Sequence, residues 1–313
     1  MENIVRRIAE KYLGSPSSIE RMKTGICNEV FAFKVEGESY ILRMNNDISQ
    51  MRGSSLFTPK LAALDIQVPR IIADEYNIEK EGYGYQIQER LPGTDLGNVI
   101  QDLAEDQLKK IAKEIASIFK KLSTLPTDGS YGLVLDENGA KFSSWKEWVY
   151  DDLDSAERHA RSTGFISEIR DLIEQVRAVV QEYEEYFFSV PSTTYYGDIA
   201  GKNVLIEKGT FTGLVDLDAL AYGDPLEAVG RIYTSWHGTE YGKIYSDAVM
   251  DELELTKEQR DIVRMYALFH RFAWMCENGV AFNANTSGII DAEEATKDRE
   301  KIQKLLEEIE RDS

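Results

Sequence analysis

Tyr195-Tyr196-Gly197-Asp198-Ile199-Ala200-Gly201-Lys202-Asn203-Val204-Leu205-Ile206-Glu207-Lys208-Gly209-Thr210-Phe211-Thr212-Gly213-Leu214-Val215-Asp216-Leu217-Asp218 is the stretch on which the reading of the fold turns. Two apolar runs, Val204–Ile206 and Phe211–Val215, flank Glu207-Lys208-Gly209-Thr210, the pattern of a β-hairpin. A hairpin brings its two ends together. Asn203, just before the first strand, is therefore expected beside Asp216, just after the second, with Asp198 on the preceding loop. Two carboxylates and one amide oxygen converge on one spot.

That convergence suits phosphoryl transfer. Mg²⁺ takes oxygen ligands and keeps several waters, so Asn203 and Asp216 suffice when nucleotide phosphates supply the rest. Asp198 is left to orient an acceptor hydroxyl and take its proton. The competing reading makes both acids ordinary turn and strand-end residues, since Gly-Asp pairs are common in loops. The stretch resembles the catalytic segment of the aminoglycoside phosphotransferase family, relatives of choline kinase with a protein-kinase-like fold. Leu217-Asp218-Ala219 and Tyr222-Gly223-Asp224-Pro225 continue the match, with the family's Asp-x-Asp/Glu and Gly-Asp-Pro patterns. The resemblance implies an α+β, two-lobe fold: an N-lobe antiparallel sheet with helices, and a mostly helical C-lobe carrying the hairpin. It also implies ATP or GTP with Mg²⁺ as cofactors. Asp224 is expected to cap the next helix, and Asp218 to stand behind the metal or touch the acceptor.

Composition frames this reading. With 313 residues and 42% hydrophobic content the chain buries a substantial core, expected as two lobes. It has no run of about 18 apolar residues, and MENIVRRIAEKYLG reads as an amphipathic helix, so a soluble, cytoplasmic protein with no membrane partner is expected. Cys27 and Cys276 form no disulfide framework, and with only His159, His237 and His270 no Cys/His metal cluster is expected. A net charge of −19 argues against nucleic acid. The charge is uneven: residues 1–93 hold 13 acids against 12 bases, the remainder 42 against 24. Such a C-terminal part attracts a polycationic substrate, or is simply a solubilising surface.

Before residue 93, strands are expected at Ser18–Met22, Val30–Val35 and Tyr40–Met44, with further helix over Leu61–Ile66 and strand from Val68 to Ile72. By resemblance the turn from Lys23 to Glu29 lies over the phosphates, with Gly25 and Asn28 as nucleotide contacts, and Arg43 is the third-strand cation on those phosphates. Glu89, Arg90 and Leu91, ahead of Pro92-Gly93, form the hinge that holds the purine edge. The lobes are expected to be 1–93, binding nucleotide, and 94–313, carrying catalysis and the acceptor. Three positions depart from the family. Met51–Phe57 holds no acid to pair with Arg43, leaving Asp47 or another helix; Tyr196 stands where a His is usual; and Ala228 replaces an Asp, with Glu227 one place early. Tyr196 is expected to support the loop by packing and hydrogen bonding.

Beyond residue 93 the periodicity turns helical. A core helix is expected over 104–123, another capped by Ser144 and holding Trp145 and Trp148, and one over Ile166–Phe187. Four more are expected at Ala228–Trp236, Tyr245–Glu252, Lys257–Asn278 and Ala292–Arg311. The Trp145 region resembles the insert of the hygromycin phosphotransferase branch. Asp151, Asp152 and Asp154 after it line an acceptor site or form a solvated face, and Trp236, Glu240 and Glu277 are further acceptor candidates, expected to be exposed. Lys202 either neutralises phosphate charge or is solvated. The expected activity is transfer of a γ-phosphoryl group to a small hydroxylated, cationic molecule, an aminoglycoside first, by a monomer or weak dimer. The alternatives are a choline or homoserine kinase, or a nucleotide-binding protein without catalysis.

Overall fold

The computed structural model of the protein describes residues 1–312 apart from 24, 26 and 283–285. The chain opens with α1 (Glu2–Tyr12), whose Val5, Ile8 and Ala9 lie at three- and four-residue spacing and are buried. Strands β1 (Ser18–Arg21), β2 (Glu29–Val35) and β3 (Glu38–Asn45) follow, then α2 (Ser49–Ala63), β4 (Ile71–Glu75), the short α3 (Ile78–Glu81) and β5 (Gly84–Glu89). These strands make one antiparallel sheet in the order β1-β2-β3-β5-β4. Its inward side chains Phe31, Phe33, Leu42, Met44, Tyr85 and Ile87 meet α1 in a small core of their own.

The rest of the chain builds a larger core. After β6 (Thr94–Asp95) come α4 (Leu96–Val99), α5 (Glu105–Leu122), β7 (Gly132–Leu133), α6 (Trp145–Thr163), α7 (Arg170–Glu182) and α8 (Glu184–Ser189). Strands β8 (Thr193–Tyr196), β9 (Val204–Glu207), β10 (Thr210–Leu214) and β11 (Leu220–Gly223) hold the Tyr195–Asp218 stretch, and α9 (Pro225–Ser235), α10 (Glu240–Glu252), α11 (Lys257–Cys276) and α12 (Ala292–Asp312) follow. Among the described residues, no helix is long and apolar enough to cross a membrane. The larger core also takes Phe57 and Leu61 of α2, so a helix that precedes residue 93 packs on the helical region.

The hairpin forms as its turn chemistry requires. β9 and β10 pair Glu207 with Thr210 around Lys208-Gly209, both at positive φ (52° and 78°), the geometry of a type I′ turn. β6 adds to β9, and β7, β11 and β8 form a third small sheet.

Three expectations need correction. The strand after Val68-Pro69 starts only at Ile71, because Pro69 has no N–H to give to the ladder. Of Leu61–Ile66 only Leu61–Ala63 is helical, as the end of the longer α2, which runs from Ser49 and contains Pro59. The single helix over Ile166–Phe187 is a 3-10 turn (Phe165–Glu168), then α7 and α8, broken at Tyr183. Leu172, Val176, Val180 and Phe187 are all buried along one apolar stripe, so the period alone does not reveal the break.

Candidate active site

The loop between β8 and β9 sets the first acid. Asp198 follows β8, its carbonyl accepts from Ala200 N–H at 2.8 Å, and the chain then enters a 3-10 turn at Gly201–Asn203. Asn203 is almost wholly buried, and its Nδ2 donates to Asp198 Oδ2 at 2.7 Å and to the Asp198 carbonyl at 2.9 Å. With Nδ2 engaged, the amide oxygen of Asn203 is its remaining ligand atom. Across the hairpin mouth, Val215 N–H donates to the Asn203 carbonyl at 3.0 Å, which brings the residue before Asp216 against Asn203. Asp216 itself has φ +57°, a left-handed backbone uncommon for Asp and one that turns the chain sharply after β10.

Tyr196 takes the place where a His is usual and does both jobs expected of it. Its ring is fully buried, and its hydroxyl lies 3.0 Å from the Val215 carbonyl and 2.8 Å from that of Asp216, clasping the strained bend.

Arg43 finds its partners across the cleft. Its Nη2 donates to Asp216 Oδ1 at 2.6 Å and also to Asp218 Oδ2, while Nη1 donates to Gln86 Oε1 at 3.2 Å. Burial by itself would lower its basicity, but the Asp218 and Asp216 charges reverse that and hold it protonated. Asp47, the partner offered by the sequence, instead accepts from Ser49 N–H at 3.0 Å. Burial raises the Asp216 carboxyl against the opposing pull of Arg43, with Asp218 and Asp198 adding to the rise.

Asp218 is buried with Arg43 on one side and Asn28 on the other, whose Nδ2 donates to it at 3.0 Å. It is therefore behind the cleft and not open to an acceptor. Asn28 Oδ1, in turn, accepts from Asn45 Nδ2 at 3.0 Å, so its amide ties the turn after β1 to Asp218. Gly25 is in that turn. A Cβ there would come within 2.9 Å of the Asn28 carbonyl, so the close approach requires glycine. Thr24 and Ile26 of the same turn lie outside the described residues.

The hinge is partly committed to the sheet. Glu89 N–H donates to the Arg70 carbonyl at 3.0 Å and Arg90 N–H to the Ser39 carbonyl at 3.2 Å. Leu91 follows the last strand pair and is half-buried.

Around Asp198 the helices add charges, of which Arg231 is the one that the sequence pattern did not reveal. Arg231 of α9 donates Nη1 to Asp198 Oδ1 at 3.0 Å, and Lys202 Nζ stands 3.6 Å from Oδ2. Lys202 is thus paired with the loop acid. Asp152, on α6, is pushed up to about 6 by burial, with His270 and Arg231 opposing and Glu227 assisting. Glu277, at the end of α11, is likewise raised by burial, with Arg231 opposing and Asp152 assisting. Both acids therefore share the surroundings of Arg231. Behind the loop, buried Glu227 pairs with His270 Nε2 at 2.9 Å, which makes it the acid that α9 presents beneath Gly197. Glu227 was visible one place from the family's Asp; Arg231 carried no signal, because a lone Arg on an amphipathic helix reads as surface.

The remaining acceptor candidates divide. Asp151 is half-buried and 3.7 Å from Lys141, and Asp154 is exposed and paired with Arg177. Trp236 and Glu277, expected exposed, are half-buried. The Trp236 ring packs edge-on against Tyr245 at 5.6 Å, and a Cβ on Gly201 would meet it at 2.8 Å. Glu240 is exposed and lines a different groove with Tyr233, His237, Lys243 and Glu308. Asp224 caps α9, accepting from Leu226 N–H at 3.0 Å, and also takes the hydroxyls of Tyr186 and Tyr266 at 2.6 and 2.8 Å.

Comparison with known proteins follows the same lines. The profile of the phosphotransferase enzyme family matches residues 18–268. Hygromycin-B 4-O-kinase of Escherichia coli is 20% identical over 236 residues, which is 74% of this chain and 66% of that protein, just under two thirds of the relative's length. Among solved structures, a thermostable mutant of aminoglycoside phosphotransferase APH(4)-Ia in its apo form superposes with a TM-score of 0.77 at 17% identity, over 97% of this chain and 98% of the other. A ternary complex of the same enzyme with AMP-PNP and hygromycin B gives 0.73 at 17% identity, over 97% and 98%. The GDP complex of wild-type aminoglycoside 2'-phosphotransferase-IIIa gives 0.70 at 14% identity, over 98% of both chains. At these identities the likeness is one of fold.

Proposed function

The chain belongs to the phosphotransferase enzyme family, and on that premise we propose that it moves the γ-phosphoryl group of ATP or GTP to a hydroxyl of a small molecule, an aminoglycoside of the hygromycin kind. The observation that carries the proposal is the Asp198–Asn203 hydrogen bond at 2.7 Å, set across the hairpin mouth from Asp216. A pair of turn acids without chemistry has no need of a buried amide locked to one of them.

The donor set fits Mg²⁺, with one carboxylate at Asp216 and the amide oxygen of Asn203 left over once Nδ2 is engaged. When bound, the ion neutralises phosphate charge as the γ-phosphorus is attacked. The chain's own residues do the rest. Asp198 accepts the acceptor's hydroxyl proton while the oxygen forms its bond to the γ-phosphorus and the bond to the bridging oxygen of the leaving diphosphate breaks. Arg231 holds Asp198 aimed. Arg43 turns donors toward the phosphates, an arrangement its fork of N–H groups permits without releasing both acids. At the hinge, the purine edge falls to Leu91 N–H and the neighbouring carbonyls, since the amides of Glu89 and Arg90 are already used. The half-buried acids Asp152 and Glu277 beside Asp198 suit an acceptor bearing ammonium groups next to its hydroxyl.

Nucleotide consumption with Mg²⁺ across a panel of aminoglycosides, choline and homoserine, run beside Asp198→Asn, tests this. Stimulation by a cationic aminocyclitol that vanishes in Asp198→Asn is the expected result. Stimulation by a small alcohol alone would retain the kinase and remove the drug, and full turnover in Asp198→Asn would remove the base.

A further inference from the structure

The helix α2 offers Arg43 no carboxylate: its sequence, from Ser49 to Ala63, contains neither Asp nor Glu. The guanidinium is only 4% exposed and needs an acceptor for Nη1 all the same. Gln86 of β5 provides one. We propose that Gln86 is the positioning residue that aims Arg43 at the nucleotide phosphates, linking Arg43 to α2 through a neutral hydrogen-bond relay in place of an ion pair. The inference rests on the nucleotide reading above and adds a residue to it.

The relay is built at both ends. Gln86 is fully buried, and its Oε1 accepts from Arg43 Nη1 at 3.2 Å and from Gln88 Nε2 at 3.0 Å. Its Nε2 faces α2, 2.7 Å from the Met51 carbonyl, 3.0 Å from Ser54 Oγ and 2.9 Å from Ser55 Oγ, with Tyr76 Oη also at 2.9 Å. One amide thus accepts from the cation and donates to the helix, which an Asp or Glu cannot do. α2 is in turn fixed to the helical region, where Phe57 and Leu61 enter the larger core and the Gly53 backbone abuts the Val134 carbonyl.

Charge explains why the relay is neutral. Nη2 of Arg43 already bonds the carboxylates of Asp216 and Asp218. A third carboxylate from α2 would surround one buried cation with three anions and oppose the incoming phosphates, at a cost that burial magnifies. Gln86 meets the geometric need and adds no charge. A purely structural Gln86, gluing α2 to β5, would affect stability alone.

Calorimetric titration of the full chain with AMP-PNP and Mg²⁺ separates the two, with thermal unfolding followed on each variant. Gln86→Leu is expected to weaken AMP-PNP about tenfold, the effect of losing a hydrogen bond to a charged group. Arg43→Met is expected to weaken it at least as much, and the double variant to be no worse than Arg43→Met, because Gln86 acts only through Arg43. If Gln86→Leu does not fold, Gln86→Glu keeps the side-chain size and carries the test. Its carboxylate competes for Arg43 and is expected to weaken AMP-PNP too. Additive losses in the double variant, or wild-type affinity in a folded Gln86→Leu or Gln86→Glu, overturn the proposal. A wild-type protein that binds neither AMP-PNP nor its guanine counterpart overturns the nucleotide reading itself, and the relay with it.

Discussion

Arg231 Nη1 and Asp198 Oδ1 are 3.0 Å apart, so the loop acid proposed as base is anchored to a helix cation 33 residues further along the chain. Burial opposes the charge on Arg231, while Asp198 first and then Glu227, Asp152 and Glu277 hold it protonated. Four acids thus lean on one guanidinium. Arg231→Ala is expected to lower kcat by about 10- to 100-fold by freeing Asp198, and to lower the melting temperature because the buried acids lose their counter-charge. Arg231→Lys should recover part of the stability and less of the rate, since a single ammonium lacks the fork. Unchanged kcat in Arg231→Ala would leave Asp198 needing no anchor.

Tyr196→Phe removes the hydroxyl that clasps the Val215 and Asp216 carbonyls and leaves the ring in place. A stability loss of about 1 to 2 kcal/mol in denaturant unfolding is expected. The metal concentration for half-maximal activity should rise, because the left-handed bend at Asp216 is no longer held. A variant that unfolds earlier but saturates with metal at the wild-type concentration would show that the ring alone sets the loop.

Asp224 is almost wholly buried, and burial pushes its carboxyl up to about 6 despite the hydrogen bonds from Tyr186, Leu226 N–H and Tyr266. Its folded pKa lies above its unfolded one, so the folded chain binds this proton more tightly and this group stabilises the fold as pH falls from about 7 toward 5. Asp224→Ala removes the α9 cap and the acceptor of two buried phenols, for a loss of about 3 to 5 kcal/mol. The loss measured by urea unfolding should be roughly 1 kcal/mol larger at pH 5 than at pH 7. A loss that shrinks on acidification contradicts this assignment.

On the acceptor side, Asp152→Asn and Glu277→Gln are expected to raise the KM for a cationic acceptor about tenfold each, while the nucleotide KM stays within about twofold. Removing charge beside Arg231 also relieves burial of an ionised carboxyl, so neither variant should melt much below wild type. Equal changes in both KM values would move these acids from the acceptor to the frame of the site.

What the sequence made legible was local. The hairpin, its Lys208-Gly209 turn and the α9 cap at Asp224 are each specified by neighbours a few residues apart, and each was readable from turn and cap chemistry. The partners of Arg43 were not readable. Asp216 and Asp218 come from the far side of the fold, and Gln86 sits in a strand where a buried Gln has no periodic signature. Arg231 escaped for a related reason. Its environment is created where α9, α11 and the loop after β8 meet, and no single helix carries its mark. The expected exposure of Trp236 and Glu277 failed because amphipathic patterning counts faces of one helix and not the neighbours that cover them.

The bonds that fasten the sheet to Asp216 and Asp218 span long stretches of chain: 173 residues from Arg43 to Asp216 and 190 from Asn28 to Asp218. During synthesis at about 5–20 residues per second, the N-terminal strands therefore wait roughly 10 to 40 s before their ionic partners leave the ribosome. In that interval the Arg43 guanidinium has neither Asp216 nor Asp218 to bury against, while the five strands of its sheet, ending at Glu89, have already been made. The bonds that tie the sheet to Asp216 and Asp218 therefore form only once the hairpin has emerged, after every strand of that sheet.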